Sequence, residues 1–459
     1  MKKAVYIATL MTAFSLSFAV LGLARYSVNQ HVSFPSPLEK TMLTHEDVLP
    51  VWTDRPVATV SFTKENPATV KPILTWSDVD EAVVFELELG HMNAAGSFEP
   101  FYTTRQVYTN GYNVILPEDY TDNVFYWRVR GLDLDGNAIS DWSDVNEVHV
   151  DRSLPVVLKP ILTSAYNQGR GTTLLYPVYD WIPVNGAVKY ELELLNEAPE
   201  NPNGIEPSVH RVDSIVLDSA EHYDSKPRFS EEPFFWRVRG MDSEGKPVGV
   251  YSDAGTFRTN PADNYAVGTY GDSISHGGGS ISYSPTDWNF SYQYYLNFES
   301  INLSQSGDTS AMTLERFDRD VLPFHPRYLI ILMGSNSLRA GVSAEDVIND
   351  MKAVKAKCLA NGILPVFLTL PPINPANIQK AFDEPTADNW QDLFAAVNAY
   401  VRTQVYIDDA AGMADDNGNL PTRLALDGLH LDPPGKRRMA DAINKAWPDI
   451  LALPESAWK

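Results

Sequence analysis

Tyr328-Leu329-Ile330-Ile331-Leu332-Met333-Gly334-Ser335-Asn336 is an unbroken apolar run closed by a turn of small and polar residues. Six apolar residues without alternation read as a strand buried on both faces, the kind found in parallel sheets. Val366 to Leu370 (VFLTL) repeats the pattern after an intervening helical stretch. That helix is predicted to begin at Ser343, with Asp346 completing a capping signature, and to stop at Asn361-Gly362. Trp390 to Val401 and Arg437 to Trp447 predict two more helices, the last preceded by Pro433-Pro434-Gly435. Apolar strands alternating with helices indicate a parallel α/β sheet covered on both faces from Pro261 onward. On such sheets ligands bind beyond the carboxyl ends of the strands. Gly334-Ser335-Asn336 sits at such an end, and so does Gly271-Asp272-Ser273, after the short apolar segment Tyr265-Ala266-Val267.

Upstream the texture is different. Lys71-Pro72-Ile73-Leu74 recurs as Lys159-Pro160-Ile161-Leu162, and WSDVDEAVVFELEL (76–89) as WIPVNGAVKYELEL (181–194). FYWRVRG (125–131) recurs as FFWRVRG (234–240), each followed by an acidic glycine turn and then by Trp142-Ser143-Asp144 or Tyr251-Ser252-Asp253. Within these segments the side chains alternate: Phe85, Leu87 and Leu89 share one face, Glu86 and Glu88 the other. Short alternating strands between Gly, Asp and Pro turns predict two antiparallel sandwiches. The chain thus divides into an N-terminal segment (1–24), a linker (25–54), two β modules (55–152 and 153–260) and an α/β domain (261–459).

The 459-residue chain carries a net charge of −23, which argues against nucleic-acid or anionic-membrane partners. Lys2 and Lys3 precede an uncharged run from Ala4 to Ala24, ending in Gly22-Leu23-Ala24, which predicts export. A cleaved signal peptide and an uncleaved anchor both fit that run; only the anchor would give a membrane association. With Cys358 the single cysteine, no intrachain disulfide can form, and no lipid-anchoring cysteine follows the leader. Cys358 falls on a helical stripe with Val347, Met351 and Val354 and reads as core.

Four fragments carry chemistry: Gly271-Asp272-Ser273, Ser306-Gly307-Asp308, Gly334-Ser335-Asn336 and Asp427-Gly428-Leu429-His430. A serine hydroxyl is a weak nucleophile that needs a base, and an imidazole needs an acid to hold its tautomer. Attack on an ester creates an oxyanion that needs donors fixed in advance. Singly each fragment is a common turn. In one order, in one domain, they resemble the four blocks of the SGNH hydrolases, also called GDSL esterases and lipases.

That resemblance implies a flavodoxin-like three-layer fold with Ser273 as nucleophile, His430 as base and Asp427 as its orienting acid. It also implies an oxyanion hole of Ser273, Gly307 and Asn336. Separately, the nine scattered His residues include no HExxH or similar metal spacing, so no metal is expected, and no cofactor. Two positions depart from the family pattern: Ile274 stands where Leu is usual, and Ser337 where the third block usually has Asp. The upstream repeat resembles fibronectin type III modules of exported bacterial proteins.

The expected activity is an exported serine esterase cleaving short-chain esters on an acetylated polysaccharide or cell-wall glycan. The alternatives are a lipase or thioesterase of the same family, or a binding protein with a retired hydrolase domain. Three glycines after Ser275-His276 predict a flexible loop at the mouth of the site, with His276 touching substrate. Trp288 is a second candidate substrate contact, with Asp287, Phe290, Tyr292 and Tyr294 near it, although aromatic core packing is the default reading of this cluster. Tyr102, Tyr108, Tyr112 and Tyr120 are candidate glycan contacts on the first module if it is more than a spacer. Asp408-Asp409 and Asp415-Asp416-Asn417-Gly418 read as solvated turns, and Asp135-Gly136 as a hairpin turn, not a calcium loop.

Overall fold

The structure is a computed structural model. It describes residues 55–79, 82, 84–117, 119–133, 135–164, 166–167, 171–278 and 288–458. The leader (1–24), the linker (25–54), Gly279, Ser280 and Asp287 lie outside the described residues. Among the described residues no helix is long and apolar enough to cross a membrane.

The first β unit holds β1 (Ile73–Thr75), β2 (Val84–Met92), β3 (Phe98–Val107), β4 (Gly111–Asn113), β5 (Val124–Leu132) and β6 (Asn146–His149). They form an antiparallel sheet β3-β2-β5-β6 and a smaller one, β1-β4. Leu74 and Trp76 from one side and Leu87, Leu89, Trp127 and Val129 from the other make a single core. The alternation in the sequence is realised: Arg128 and Arg130 stand opposite Glu88 and Glu86 in register, pair with them at 2.7 Å and 2.6 Å, and lie under the Trp142 ring.

The second unit repeats the device. Its strands are β7 (Ile161–Leu162), β8 (Thr173–Leu174), β9 (Val178–Ile182), β10 (Lys189–Leu195), β11 (Arg211–Leu217), β12 (Glu221–Tyr223), β13 (Phe234–Met241), β14 (Pro247–Val248) and β15 (Gly255–Phe257). Sheet β11-β10-β13-β14, with β15 also on β13, faces sheet β12-β9-β7. Glu193 and Glu191 oppose Arg237 and Arg239, with Tyr251 taking the place of Trp142 over both guanidinium groups. The serine of each closing motif serves the same strand: Ser143 and Ser252 accept the amide N–H of Val129 and Val238, each at 3.0 Å. Here, however, the ion pair is sealed. Arg237 and Glu193 are both fully buried, because the backbone and side chain of Asn201 and the carbonyl of Glu206 fold over the arginine.

The α/β domain adds β16 (Val267–Gly271), β17 (Ile301–Asn302), β18 (Tyr328–Leu332), β19 (Leu364–Leu368) and β20 (Tyr406–Ile407). Its helices are α1 (Ser273–His276), α2 (Ser310–Asp320), α3 (Ser335–Arg339), α4 (Ala344–Ala360), α5 (Pro375–Phe382), α6 (Trp390–Val401) and α7 (Pro433–Ala452). All pairings are parallel, in the order β17-β16-β18-β19-β20. That is the flavodoxin order, whose crevice lies at the carboxyl ends of β16 and β18, where the chain connections leave in opposite directions. Helices α2, α4 and α6 pack side by side, while α7 packs with the turns at 288–295.

Two sequence boundaries shift. Helix α7 starts at Pro433 rather than Arg437, because Pro433 and Pro434 occupy a first turn that needs no N–H. The α/β sheet also extends beyond residue 261: β8, inside the second repeat, pairs in parallel with β17, and Leu175 and Tyr176 are buried in the α/β core. A two-residue strand has no periodicity to betray its sheet; the two cores stay distinct, but the segment 173–176 contributes to the α/β side.

The two ladders predict different costs. Glu193→Ala leaves Arg237 buried without its carboxylate and should lower stability by ~3–5 kcal/mol. Glu88→Ala, whose partner Arg128 is partly exposed, should cost about 1 kcal/mol or less. Urea midpoints of the two variants check the contrast.

Candidate active site

β16 delivers the chain to the crevice. Gly271 lies so close to β18 that a Cβ there would overlap the Leu332 carbonyl. Asp272 then caps α1, its Oδ1 accepting the Ile274 N–H at 3.0 Å, and Ser273 opens the helix. Ser273 Oγ is 2.9 Å from His430 Nε2, and His430 Nδ1 is 2.8 Å from Asp427 Oδ2. The other Asp427 oxygen accepts the N–H groups of Leu429 and His430, both at 2.8 Å. A carboxylate only accepts, so Nδ1 carries the proton and Nε2 offers a lone pair to the serine hydroxyl. All three side chains are buried, and the edge of Phe382 packs on the imidazole at 5.8 Å.

The Asp427–His430 turn needs Gly428. Its φ is +80°, and a side chain there would run into Asn374, whose N–H bonds the Gly428 carbonyl at 2.8 Å. Behind it Lys436, fully buried on α7, donates to the Ile274 carbonyl at 2.7 Å. Burial pushes Lys436 down to about 7 and, from the opposite direction, Asp272 up to about 7.

Gly307 sits at φ +90° between Ser306 and Asp308. Asn336 Nδ2 donates to the Asp308 carbonyl at 2.9 Å, which places the amide beside the Gly307 turn. Ser337 Oγ accepts the Ser310 N–H at 2.9 Å and so ties α3 to the start of α2.

Arg316 on α2 was not singled out by sequence. It is 5% exposed. It donates to the Gly271 carbonyl (2.9 Å), the Leu303 carbonyl (2.7 Å), Asp308 (2.5 Å) and Asp320 (3.0 Å). The available signal was its helical spacing with Thr313 and Phe317, one turn before Asp320.

Three expectations are corrected. Ser275 and His276 belong to α1 and are fully buried, not part of an exposed loop, and the rest of the expected loop, Gly279 and Ser280, lies outside the described residues. The His276 ring is turned into the domain by Tyr176 and Ser306. Trp288 packs edge-on against Tyr166 of the second β unit, 5.6 Å away, not in the crevice. Phe290 is buried against Val84, Leu132 and Tyr108 of the first unit, and the Tyr292 hydroxyl lies 2.9 Å from Ser275 Oγ. Asp409 is no solvated turn: it is 2% exposed under the sheet end, with Thr369 donating to it at 3.1 Å. Cys358 is buried as expected, which pushes its thiol well up.

Residues 269–438 match the model of the GDSL-like Lipase/Acylhydrolase family. Among solved structures, a GDSL-like lipase from Bacteroides thetaiotaomicron is 21% identical, covering 40% of this chain and 88% of that one, with a TM-score of 0.33. A psychrotrophic esterase from Pseudoalteromonas sp. is 17% identical over 42% of this chain and 100% of its own, TM-score 0.32. A lipase/acylhydrolase from Enterococcus faecalis is 19% identical over 40% and 96%, TM-score 0.32. No curated protein matches the chain.

Asp409 gives the site region a pH signature. Burial pushes its carboxyl from 3.8 up to about 8. Between those values the folded state binds a proton that the unfolded chain has released, so stability falls as pH rises, by up to about 1.4 kcal/mol per unit. Asp409→Asn removes this dependence. Its melting temperature should exceed that of the wild type by more at pH 8 than at pH 5.

Proposed function

We propose that this serine hydrolase, which acts on ester bonds through its GDSL-type domain, uses Ser273, His430 and Asp427 as its triad. The continuous chain of contacts from Ser273 Oγ through His430 to Asp427 carries the proposal. As Ser273 Oγ attacks the ester carbonyl, its proton passes to His430 Nε2. Asp427 stabilises the imidazolium that results. The carbonyl oxygen becomes an oxyanion, met by the N–H groups of Ser273 and Gly307 and by the Asn336 N–H that Asp308 does not use. Collapse expels the alcohol, protonated by His430, and leaves an acyl-serine. Water then gives a proton to His430 and attacks the acyl carbon; collapse of this second intermediate breaks the bond to Ser273 Oγ, His430 returns the proton to that oxygen, and the acid leaves.

The proposed substrate is a short acyl ester, acetyl above all, on a carbohydrate or cell-wall polymer. The leader-like run at 1–24 supports export. The two β units, which we read as fibronectin type III-like, support a polymeric surface as the place of work. Tyr102 is exposed on the first unit and hydrogen-bonded to Tyr112 at 2.9 Å, an aromatic pair suited to a sugar face. Tyr108, by contrast, faces Phe290 and the α/β domain.

Hydrolysis of nitrophenyl acetate should fall by about four orders of magnitude or more in Ser273→Ala. A fluorophosphonate should label the wild type and not that variant. Equal rates in both proteins would remove Ser273 from the mechanism, and an unlabelled, folded wild type would favour a binding protein. Acetate release from acetylated glycans, with no hydrolysis of long-chain acyl esters, is the outcome expected for the substrate class.

A further inference from the structure

Helix α1 carries Ser273 and is only four residues long. One helical turn does not hold itself together in water. It is followed by Gly277 and Gly278, both at positive φ. The orientation of Ser273 is therefore set by what α1 packs against, and much of that packing comes from outside the α/β domain.

His276 is the main contact. Its Nε2 lies 2.9 Å from the backbone carbonyl of Tyr176, in the second β unit. A carbonyl only accepts, so Nε2 carries the proton and Nδ1 is left to accept from the Ser306 hydroxyl at 3.3 Å. The Tyr223 ring on β12 meets the imidazole edge to face at 5.1 Å. The carbonyl of His276 accepts from Asn302 at 2.8 Å. One side chain thus joins the nucleophile helix, the residue before Gly307, and two tyrosines of the upstream unit. Burial pushes the imidazole down to about 3, so the ring stays neutral and this tautomer persists across the working range of pH.

A second route reaches the same helix. Gln293 donates to the Ser275 carbonyl at 2.6 Å, and the Gly278 N–H bonds the Phe290 carbonyl at 2.9 Å. The same stretch is wedged against both β units. Gly171 lies so near Gln293 that any side chain on it would overlap, and Asn289 donates to the Ala82 carbonyl at 2.9 Å. The interface is locked further out, where Tyr176 donates its hydroxyl to Asp320 at 2.6 Å and accepts from Arg319 at 2.7 Å.

We infer that the second β unit is a working part of the hydrolase site, holding Ser273 and the Gly307 turn in register through the positioning residue His276. The inference rests on the roles proposed above for Ser273 and Gly307. The unit then acts on the ester reaction without contacting the ester: displacing the reacting groups by about 1 Å can cost on the order of 100-fold in rate.

The test uses the full chain with nitrophenyl acetate and compares His276→Leu, His276→Gln and Tyr223→Leu, each checked for its melting transition. The leucine variants should lose about 10-fold or more in kcat with KM nearly unchanged, the pattern of lost transition-state alignment. Fluorophosphonate labelling should slow by a similar factor. Gln keeps a donor for the Tyr176 carbonyl and should recover most of the loss. The midpoint of the acidic limb of the pH–rate profile should stay at its wild-type value, because His276 moves no proton. Wild-type kcat in folded His276→Leu would overturn the inference, as would a displaced midpoint. If His276→Leu does not fold, Tyr223→Leu decides, since it leaves every hydrogen bond of α1 in place; wild-type kcat there is equally fatal. Ser273→Ala separates the two levels. Its full activity would refute the site itself, whereas an inactive Ser273→Ala beside a fully active His276→Leu refutes only the role of the β unit.

Discussion

The guanidinium of Arg316 organises the site. Its planar fork has fixed N–H directions, so the groups it binds are held at fixed separations. Those groups are the carbonyl that ends β16, the carbonyl that follows β17, and the carboxylate of Asp308 next to Gly307. The nucleophile turn and the Gly307 turn are therefore measured off the same cation. A buried charge is costly unless compensated. Here Asp308 and Asp320 neutralise it, and the face of Tyr270 lies 4.3 Å from its carbon. Asp320 in turn accepts the hydroxyl of Tyr176, so the upstream β unit completes the arginine's surroundings.

The same economy recurs at larger scale. Both β units use one device, a Glu-x-Glu strand beside an Arg-x-Arg strand under an aromatic ring, yet the two differ in burial. In the first, Arg128 and Arg130 keep contact with water. In the second, the 201–206 loop closes over Arg237. The second unit is also the one that lends β8 and Tyr176 to the α/β domain.

Much of this was legible in the chain. YLIILM is buried strand β18, and the helices expected from Ser343 and over Trp390–Val401 are α4 and α6. The ELEL and WRVRG repeats pair in register as their alternation requires. Ser273 lies 157 residues before His430 yet meets the local Asp427–His430 pair within hydrogen-bonding distance. Expectation and structure part at polar residues: His276 was expected at the mouth of the site and Asp409 in a solvated turn, and Arg316 was not singled out. His276, Asp409 and Arg316 are all buried, and each is satisfied by a partner distant in sequence: Tyr176, Thr369 and Gly271.

Local patterns of apolarity, turn chemistry and charge are properties of neighbouring residues, so the sequence alone determined the long paired strands, the helices α4 and α6, the duplication and the four reactive fragments. Which polar side chains leave water depends on partners that only the folded chain brings near. The tertiary structure alone therefore decided that His276 faces inward, that Trp288 and Phe290 bind the β units instead of substrate, and that Thr173–Tyr176 crosses the apparent domain boundary. A two-residue strand and a four-residue helix carry too little local free energy to declare themselves. Both exist because the surfaces around them are already in place.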